Sequence, residues 1–350
     1  MKLYNSLSRK YEEFKTSKHV KMLVCGPTLY DYMHIGHARL FITLDVFARY
    51  LAYLGYKPLV LIILTDIDPK IYRKARNARI NYNILIGKYL SEFKRDLKLL
   101  NMDHNNIAFA LASDYAKHAH DIIIQLLDND YAYFNKGNVY FDTSKIDDYG
   151  ILSRLSKEEL ETKPIDLIEG KRNIYDFLIW NGREELDYSI NSSLLGKGLP
   201  WWHIQDASIA LTNFGSYNLH AGAIELIYPH HEAQRAELKA FNHDVKYWFH
   251  IGLVTMNKIK MGKSKDNVIR VRDVLTKYGT NALRLYLLSE YYRDDMEYDP
   301  NVLEKFHEKS KEIKFGNKDI ILDRFDTRDI ISNINEINKD AAEAILGLRV

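Results

Sequence analysis

Two nearly continuous apolar runs separated by one helical pattern constrain this chain more than any other feature in it. The first, Lys21 to Cys25 ("KMLVC"), ends at "GPT", the composition of a buried strand leaving a sheet through a Gly-Pro turn. From His37 to about Leu54 ("HARLFITLDVFARYLAYL") apolar residues recur at threes and fours until Gly55, which predicts a helix with a glycine stop. The second run lies in "YKPLVLIILTDID" and lacks polar alternation, the pattern of a parallel strand covered on both faces. Strand, helix and strand in this order make a parallel unit. The expected fold class is therefore α/β, a doubly wound parallel Rossmann-like sheet. Ligands of such sheets bind at the carboxyl edge, where "MHIGHARLF", Met33 to Phe41, falls.

The rest of the chain reads as one interruption of that sheet and a helical end. A helix ("SDYAKHAHDIIIQLLDND") and a short alternating strand ("NVYFDTS") lead into a polar stretch from Lys145 to Pro200 without the apolar runs of the sheet. This predicts an insertion over 114–200 between two halves of a catalytic domain, 1–113 and 201–256. Strand patterns return at "AIELIYP" and "WFHIGLVTM", followed by the lysine-rich "NKIKMGKSKDN" and a helical pattern from Val271 to about Val302. That loop and its helices are assigned to 257–320, and the charged residues 321–350 read as a short tail. There is no internal repeat or low-complexity segment.

At 350 residues and 46% hydrophobic side chains the chain has core enough for two or three domains. No run approaches the length that crosses a bilayer and the first residues lack an apolar leader core, so a cytoplasmic protein without a membrane partner is expected. Cys25 is the one cysteine, which leaves it a role as thiol or metal ligand. The net charge of +2 neither demands nor excludes nucleic acid.

His34 and His37 stand three apart at a predicted helix start. Such a pair faces one side of any helix. At an N-terminus, with free N–H groups and the positive dipole end, two imidazoles would also add donors to a polyphosphate site. A second signal decides between these readings. "KMGKS", Lys260 to Ser264, reads alone as a solvated loop, but HIGH with a KMSKS-like loop is the paired signature of class I aminoacyl-tRNA synthetases. The flanks "VCGPTLYDYMHIGHARLF", "TDIDPKI", "KRNIYDFLIW", "WWHIQDASIA", "AIELIYPHHEAQRAE" and "YWFHIGLVTMNKIKMGKSKDNVIRVRDVL" resemble cysteinyl-tRNA synthetases, in that order and at similar spacing, from about Tyr4 to Leu303.

The resemblance implies a two-step reaction. ATP and an amino acid give an aminoacyl-adenylate and pyrophosphate, and the aminoacyl group then passes to a tRNA acceptor end or a small amine. His34, His37, Lys260 and Lys263 would be catalytic, stabilising charge on the phosphates. Gly36 would leave room for adenine, Ser264 would join the ATP site, and Glu225, where the family has aspartate, would accept from the ribose hydroxyls. Mg2+ is expected as the nucleotide's counter-ion. The amino-acid pocket would comprise Cys25, Gly26, Thr28, Trp202, Asp206, His230 and Gln234, with Trp201 walling it beside Trp202. In the family a zinc ion held by two cysteines, a histidine and a glutamate takes the substrate thiolate. Here Cys25 and His230 match while Asp206 and Gln234 replace a thiolate and a carboxylate, which leaves Cys25, Asp206 and His230 as a weakened or lost zinc site. The activated amino acid is then cysteine or another. Too few residues follow Leu303 for the family's anticodon-binding domain, and a monomer is expected. The alternative is a non-catalytic paralogue that binds nucleotide or RNA.

Overall fold

The structure, a computed structural model, describes residues 1–102, 106–162, 170–182, 187–261 and 267–349. Lys263 and Ser264 lie outside the described residues. The central sheet contains β1 (His19–Thr28), β2 (Lys57–Thr65), β3 (Ile107–Leu111), β4 (Tyr217–Ala223) and β5 (Val245–Ile251). Their order across the sheet is β5-β4-β1-β2-β3, and every pair is parallel. The chain winds outward in both directions from β1, so the crevice between β1 and β4 is the switch point of a doubly wound sheet.

Helix α1 (Ile35–Tyr53) crosses from β1 to β2 and is buried along nearly its whole length, as its apolar spacing requires. It ends where Gly55 takes a left-handed φ of 87°, as expected of a glycine stop. The strand before it runs farther than its apolar core. β1 continues through the expected Gly-Pro turn to Thr28, but with one extra residue relative to β2: Cys25 pairs with Ile63 and Thr28 with Thr65. The irregularity is a bulge at the sheet's carboxyl edge.

Four expectations need correction. The middle region has strands of its own: Ala132–Asn135, Asn138–Phe141, Phe177–Asn181, Gly196–Pro200 and Ile190–Ser192 form a five-stranded antiparallel sheet in that spatial order. Phe141, Phe177 and Trp180 are fully buried in it. The segment "AIELIYP" is not a strand. The strand is β4, "YNLHAGA", whose buried His220 and Gly222 break the apolar pattern, and Ile224–Ile227 form a 3-10 turn. The helix expected from Val271 to Val302 is broken twice: α4 (Val271–Leu288) is interrupted at Gly279, where φ is 77°, and a separate helix over Pro300–Lys311 is capped by Asp299. The residues read as a tail carry helix α5 (Lys339–Leu346), packed against α1, with Ile334, Ile345 and Leu346 wholly inaccessible.

Two further helices, α2 (Trp202–Asn213) and α3 (His230–Ala240), pack together where the insertion returns to the sheet. No described helix is long and apolar enough to cross a membrane.

Candidate active site

A cavity of about 390 Å³ opens at the carboxyl edge, over the β1–β4 crevice. It gathers side chains from β1, the start of α1, the turn after β4 and the residues after β5.

The end of β1 brings Cys25, Gly26 and Thr28 to its lining. A Cβ on Gly26 would lie 2.1 Å from the Ile63 carbonyl oxygen, so only glycine fits where the bulge presses on β2. At the start of α1, His34 occupies the cap position in an extended conformation. Its peptide N–H donates to Nδ1 of His37 at 3.3 Å, and the two rings stack with centroids 3.7 Å apart. Both histidines and Gly36 line the cavity. Gly36 also leaves room for the His34 ring, which a Cβ there would approach to 3.0 Å. Ile35 N–H donates to the Ile269 carbonyl and Val271 N–H to that of Met33, both at 3.0 Å. The chain returning from the lysine-rich loop is thereby stitched to the histidine motif.

Across the cavity, Glu225 on the turn after β4 pairs with Lys260, which lies on the short strand Ile259–Lys260. Both line the cavity.

The floor is polar and buried. Trp202 lies flat on His230, centroids 4.2 Å apart at 1°. The Cys25 thiol donates to Asp206 Oδ2 at 3.2 Å, and His230 Nε2 lies 3.0 Å from the same oxygen. Burial pushes the Cys25 thiol well above its ordinary pKa, and Asp206 beside it adds to the shift. Gln234, one turn along α3 from His230, lies a layer behind the lining. Trp201 does not wall the cavity. It packs against the insertion's Tyr133, Tyr140 and Leu178, because successive residues at a helix start point to different sides.

The family's zinc position is tested by these four residues: Cys25, Asp206 and His230 bring ligand atoms within 4.8 Å of one another, but Gln234 at the fourth position does not fit it. Gln234 turns its amide nitrogen inward, 2.6 Å from His230 Nε2, 3.1 Å from Asp206 Oδ2 and 3.8 Å from Cys25 Sγ. An N–H2 group thus stands where a ligand oxygen would be needed, and its two hydrogens can serve Asp206 Oδ2 and His230 Nε2 as a donor while offering a cation no lone pair. The amide oxygen is buried and, among the described residues, has no hydrogen-bond partner.

Sequence reasoning missed four buried histidines around this floor. His203 Nδ1 lies 3.0 Å from His230 Nδ1. His220 on β4 and His231 on α3 approach Cys25 Sγ to 3.4 and 3.3 Å through Nε2. His250 on β5 contacts His231 Nδ1 at 2.8 Å. Burial holds His203, His220 and His231 well below the ordinary imidazole pKa and lowers His250 to about 3. The available signal was a polar residue inside each of two buried strands, "NLHAG" and "WFHIG".

The catalytic-domain family described as "tRNA synthetases class I (C) catalytic domain" matches residues 12–308. The chain belongs to the class I cysteinyl-tRNA synthetase family. It is 38% identical over 324 residues to the cysteine–tRNA ligase of Thermoplasma acidophilum, covering 91% of this chain and 71% of that one. With the cysteine–tRNA ligase of Thermococcus kodakarensis it shares 37% identity over 310 residues, 87% of this chain and 65% of the relative. The chain thus spans about two thirds of these cysteinyl-tRNA synthetases. Among solved structures, Mycobacterium tuberculosis methionyl-tRNA synthetase in complex with methionyl-adenylate superposes with a TM-score of 0.67 at 15% identity, covering 94% of this chain and 82% of that one. A putative arginyl-tRNA synthetase from Campylobacter jejuni gives 0.52 at 14% identity over 80% of this chain and 65% of that one. At such identities these two share the fold, a class I synthetase core.

Proposed function

We propose that this cysteinyl-tRNA synthetase family member uses ATP with Mg2+ to adenylate an amino acid and passes the aminoacyl group to a tRNA acceptor end or a small amine. One observation carries the reading: His34 and His37 line the same cavity as the Glu225–Lys260 pair, with Cys25, Asp206 and His230 also in its lining. In the reaction the amino acid's carboxylate oxygen attacks the α-phosphorus and pyrophosphate leaves. Negative charge grows on phosphate oxygens, and donors already in place there lower the barrier. The two imidazoles and the N–H groups opening α1 supply donors on one side. Lys260 is released from Glu225 as nucleotide enters, the ammonium turning to pyrophosphate and the carboxylate accepting from the ribose hydroxyls. Lys263 and Ser264 would add contacts to the phosphates.

The floor favours an amino acid other than cysteine. With an amide N–H2 at the family's zinc position, a substrate thiol has no metal to bind. Asp206 offers a carboxylate that a side-chain hydroxyl, amide or amine pairs with better than a thiol does.

ATP–pyrophosphate exchange across the twenty amino acids tests both statements. His37→Ala and Lys260→Ala are each expected to lower exchange roughly a hundredfold or more, the cost of removing one transition-state donor. Serine, threonine, asparagine or lysine is expected to outcompete cysteine. ATP binding without exchange for any amino acid would overturn the enzymatic reading in favour of a nucleotide-binding protein. A strong preference for cysteine would overturn the pocket argument alone.

A further inference from the structure

Cys25 has a second set of neighbours, separate from the group it forms with Asp206 and His230. His220 from β4 and His231 from α3 each direct Nε2 at its sulfur, at 3.4 and 3.3 Å. Both histidines are fully buried, and neither belongs to the cavity lining. Among the described residues that sulfur is the only hydrogen-bonding neighbour of either Nε2. Sulfur is a weak donor and acceptor, so two buried imidazole nitrogens aimed at one thiol make a poor hydrogen-bond arrangement. They make a good coordination edge. Zinc with bonds of about 2.3 Å to sulfur and about 2.0 Å to imidazole, placed tetrahedrally, would hold S and N about 3.5 Å apart.

The outer partners are those that metal-bound imidazoles need. His220 Nδ1 lies 2.6 Å from the Tyr217 hydroxyl, and His231 Nδ1 lies 2.8 Å from His250 Nε2. With a proton on each Nδ1, both rings are locked in the tautomer that leaves Nε2 free for a cation. The backbone is also shaped for this approach. A Cβ on Gly222 would stand 2.6 Å from His231 Cε1 and 3.0 Å from its Nε2, so β4 carries glycine where the ring enters. The contrast with the family position is direct: there an amide N–H2 stands among the candidate ligand atoms, whereas here, among the described residues, only the sulfur lies within hydrogen-bond distance of either Nε2.

We propose that Cys25 Sγ, His220 Nε2 and His231 Nε2 form a site for a zinc-class divalent cation beneath the cavity floor. The ion ties β1, β4 and α3 together. On binding, the Cys25 thiol loses its proton to solvent and the thiolate becomes the ligand, so about one proton is released per ion at neutral pH. The site lies behind Cys25 as seen from the cavity, so it clamps the floor instead of offering a position to substrate. The inference stands independently of the proposed activity, and its failure would leave adenylation untouched.

The test loads the purified, metal-stripped full chain with Zn2+ or Co2+ alone. One ion per chain is expected, with a thiolate-to-metal charge-transfer band in the cobalt form and, by X-ray absorption of the zinc form, one sulfur and two imidazoles. His220→Asn and His231→Gln should each weaken binding by about 100-fold or more, and Tyr217→Phe by about tenfold, the lower end of what losing an outer partner costs. Asp206→Asn and Gln234→Ala should leave affinity within a few-fold. Failure of the stripped wild type to take up either ion overturns the site. So does loss of binding on changing Asp206 with His220 and His231 dispensable, which puts the ion at the family's position. If variants of both groups lose the ion or misfold, the wild-type absorption spectrum decides: two imidazoles support the assignment and one overturns it.

Discussion

A single missing methyl group shapes the cavity edge. Gly26 lies in the bulge where β1 carries one residue more than β2, and a side chain there would meet the Ile63 carbonyl at 2.1 Å. The two strands would have to separate beside Cys25 and Thr28, both cavity residues. Gly26→Ala is expected to cost about 1–3 kcal/mol, the usual range for overpacking, and to weaken ATP binding because Thr28 moves with the strand. Urea unfolding and nucleotide titration read the two effects; an alanine variant with unchanged midpoint and unchanged affinity would show that the strands yield freely. The motif pointed to Gly26 as a pocket residue, but the demand for glycine arises from its neighbour across the sheet, Ile63, 37 residues on in sequence.

The insertion illustrates what element-scale patterns conceal. Its strands are three to five residues long, too short for an alternation to stand out from the polar connections. They are held by a buried carboxylate as well as by apolar contacts. Asp176, wholly inaccessible, accepts from Tyr133 OH at 2.7 Å, Thr143 N–H at 3.0 Å and Thr143 Oγ1–H at 2.9 Å, and from Asn173 N–H at 3.1 Å. Asp176→Ala would leave several buried donors unpaired at about 1–3 kcal/mol each, so a destabilisation of about 3 kcal/mol or more is expected. Hydrogen exchange should show protection lost first across the insertion's five strands, with β1 and β2 still protected. Uniform loss across both sheets would mean that the insertion does not unfold as a separate unit.

At the scale of the whole molecule, one buried ion pair joins helix α1 to α4 and the final residues. Arg284 of α4 donates to Asp45 Oδ2 of α1 at 2.6 Å, to the Leu100 carbonyl at 2.8 Å and to the Leu346 carbonyl at 2.7 Å. Neither charged side chain touches water, and Asp45 also accepts from Arg49 at 2.9 Å. Gly347 follows with a left-handed φ of 65°, where a Cβ would stand 2.5 Å from the guanidinium. Breaking such a pair by removing one partner strands the other charge in the interior, so Asp45→Ala is expected to cost about 3–5 kcal/mol. An unfolding midpoint within error of wild type would contradict this. Asp45→Ala together with Arg284→Met should recover part of the loss, since an apolar replacement of the pair carries no stranded charge.

The sequence by itself determined the parallel β1–α1–β2 unit, the fold class and a little under half of the cavity's lining. Those rest on local periodicity and on two motifs at chain positions where strands end, and both are visible in a linear string. Tertiary structure alone decided the insertion's sheet, the burial of the final helix on α1, the turning of Trp201 away from the cavity and the ring of histidines about Cys25. His220 and His231 lie about two hundred residues from that cysteine in sequence and reach its sulfur only because β4 pairs with β1 while α3 packs with α2 over the crevice. A contact of that kind leaves no periodic trace, since each histidine separately resembles a polar interruption in a buried element.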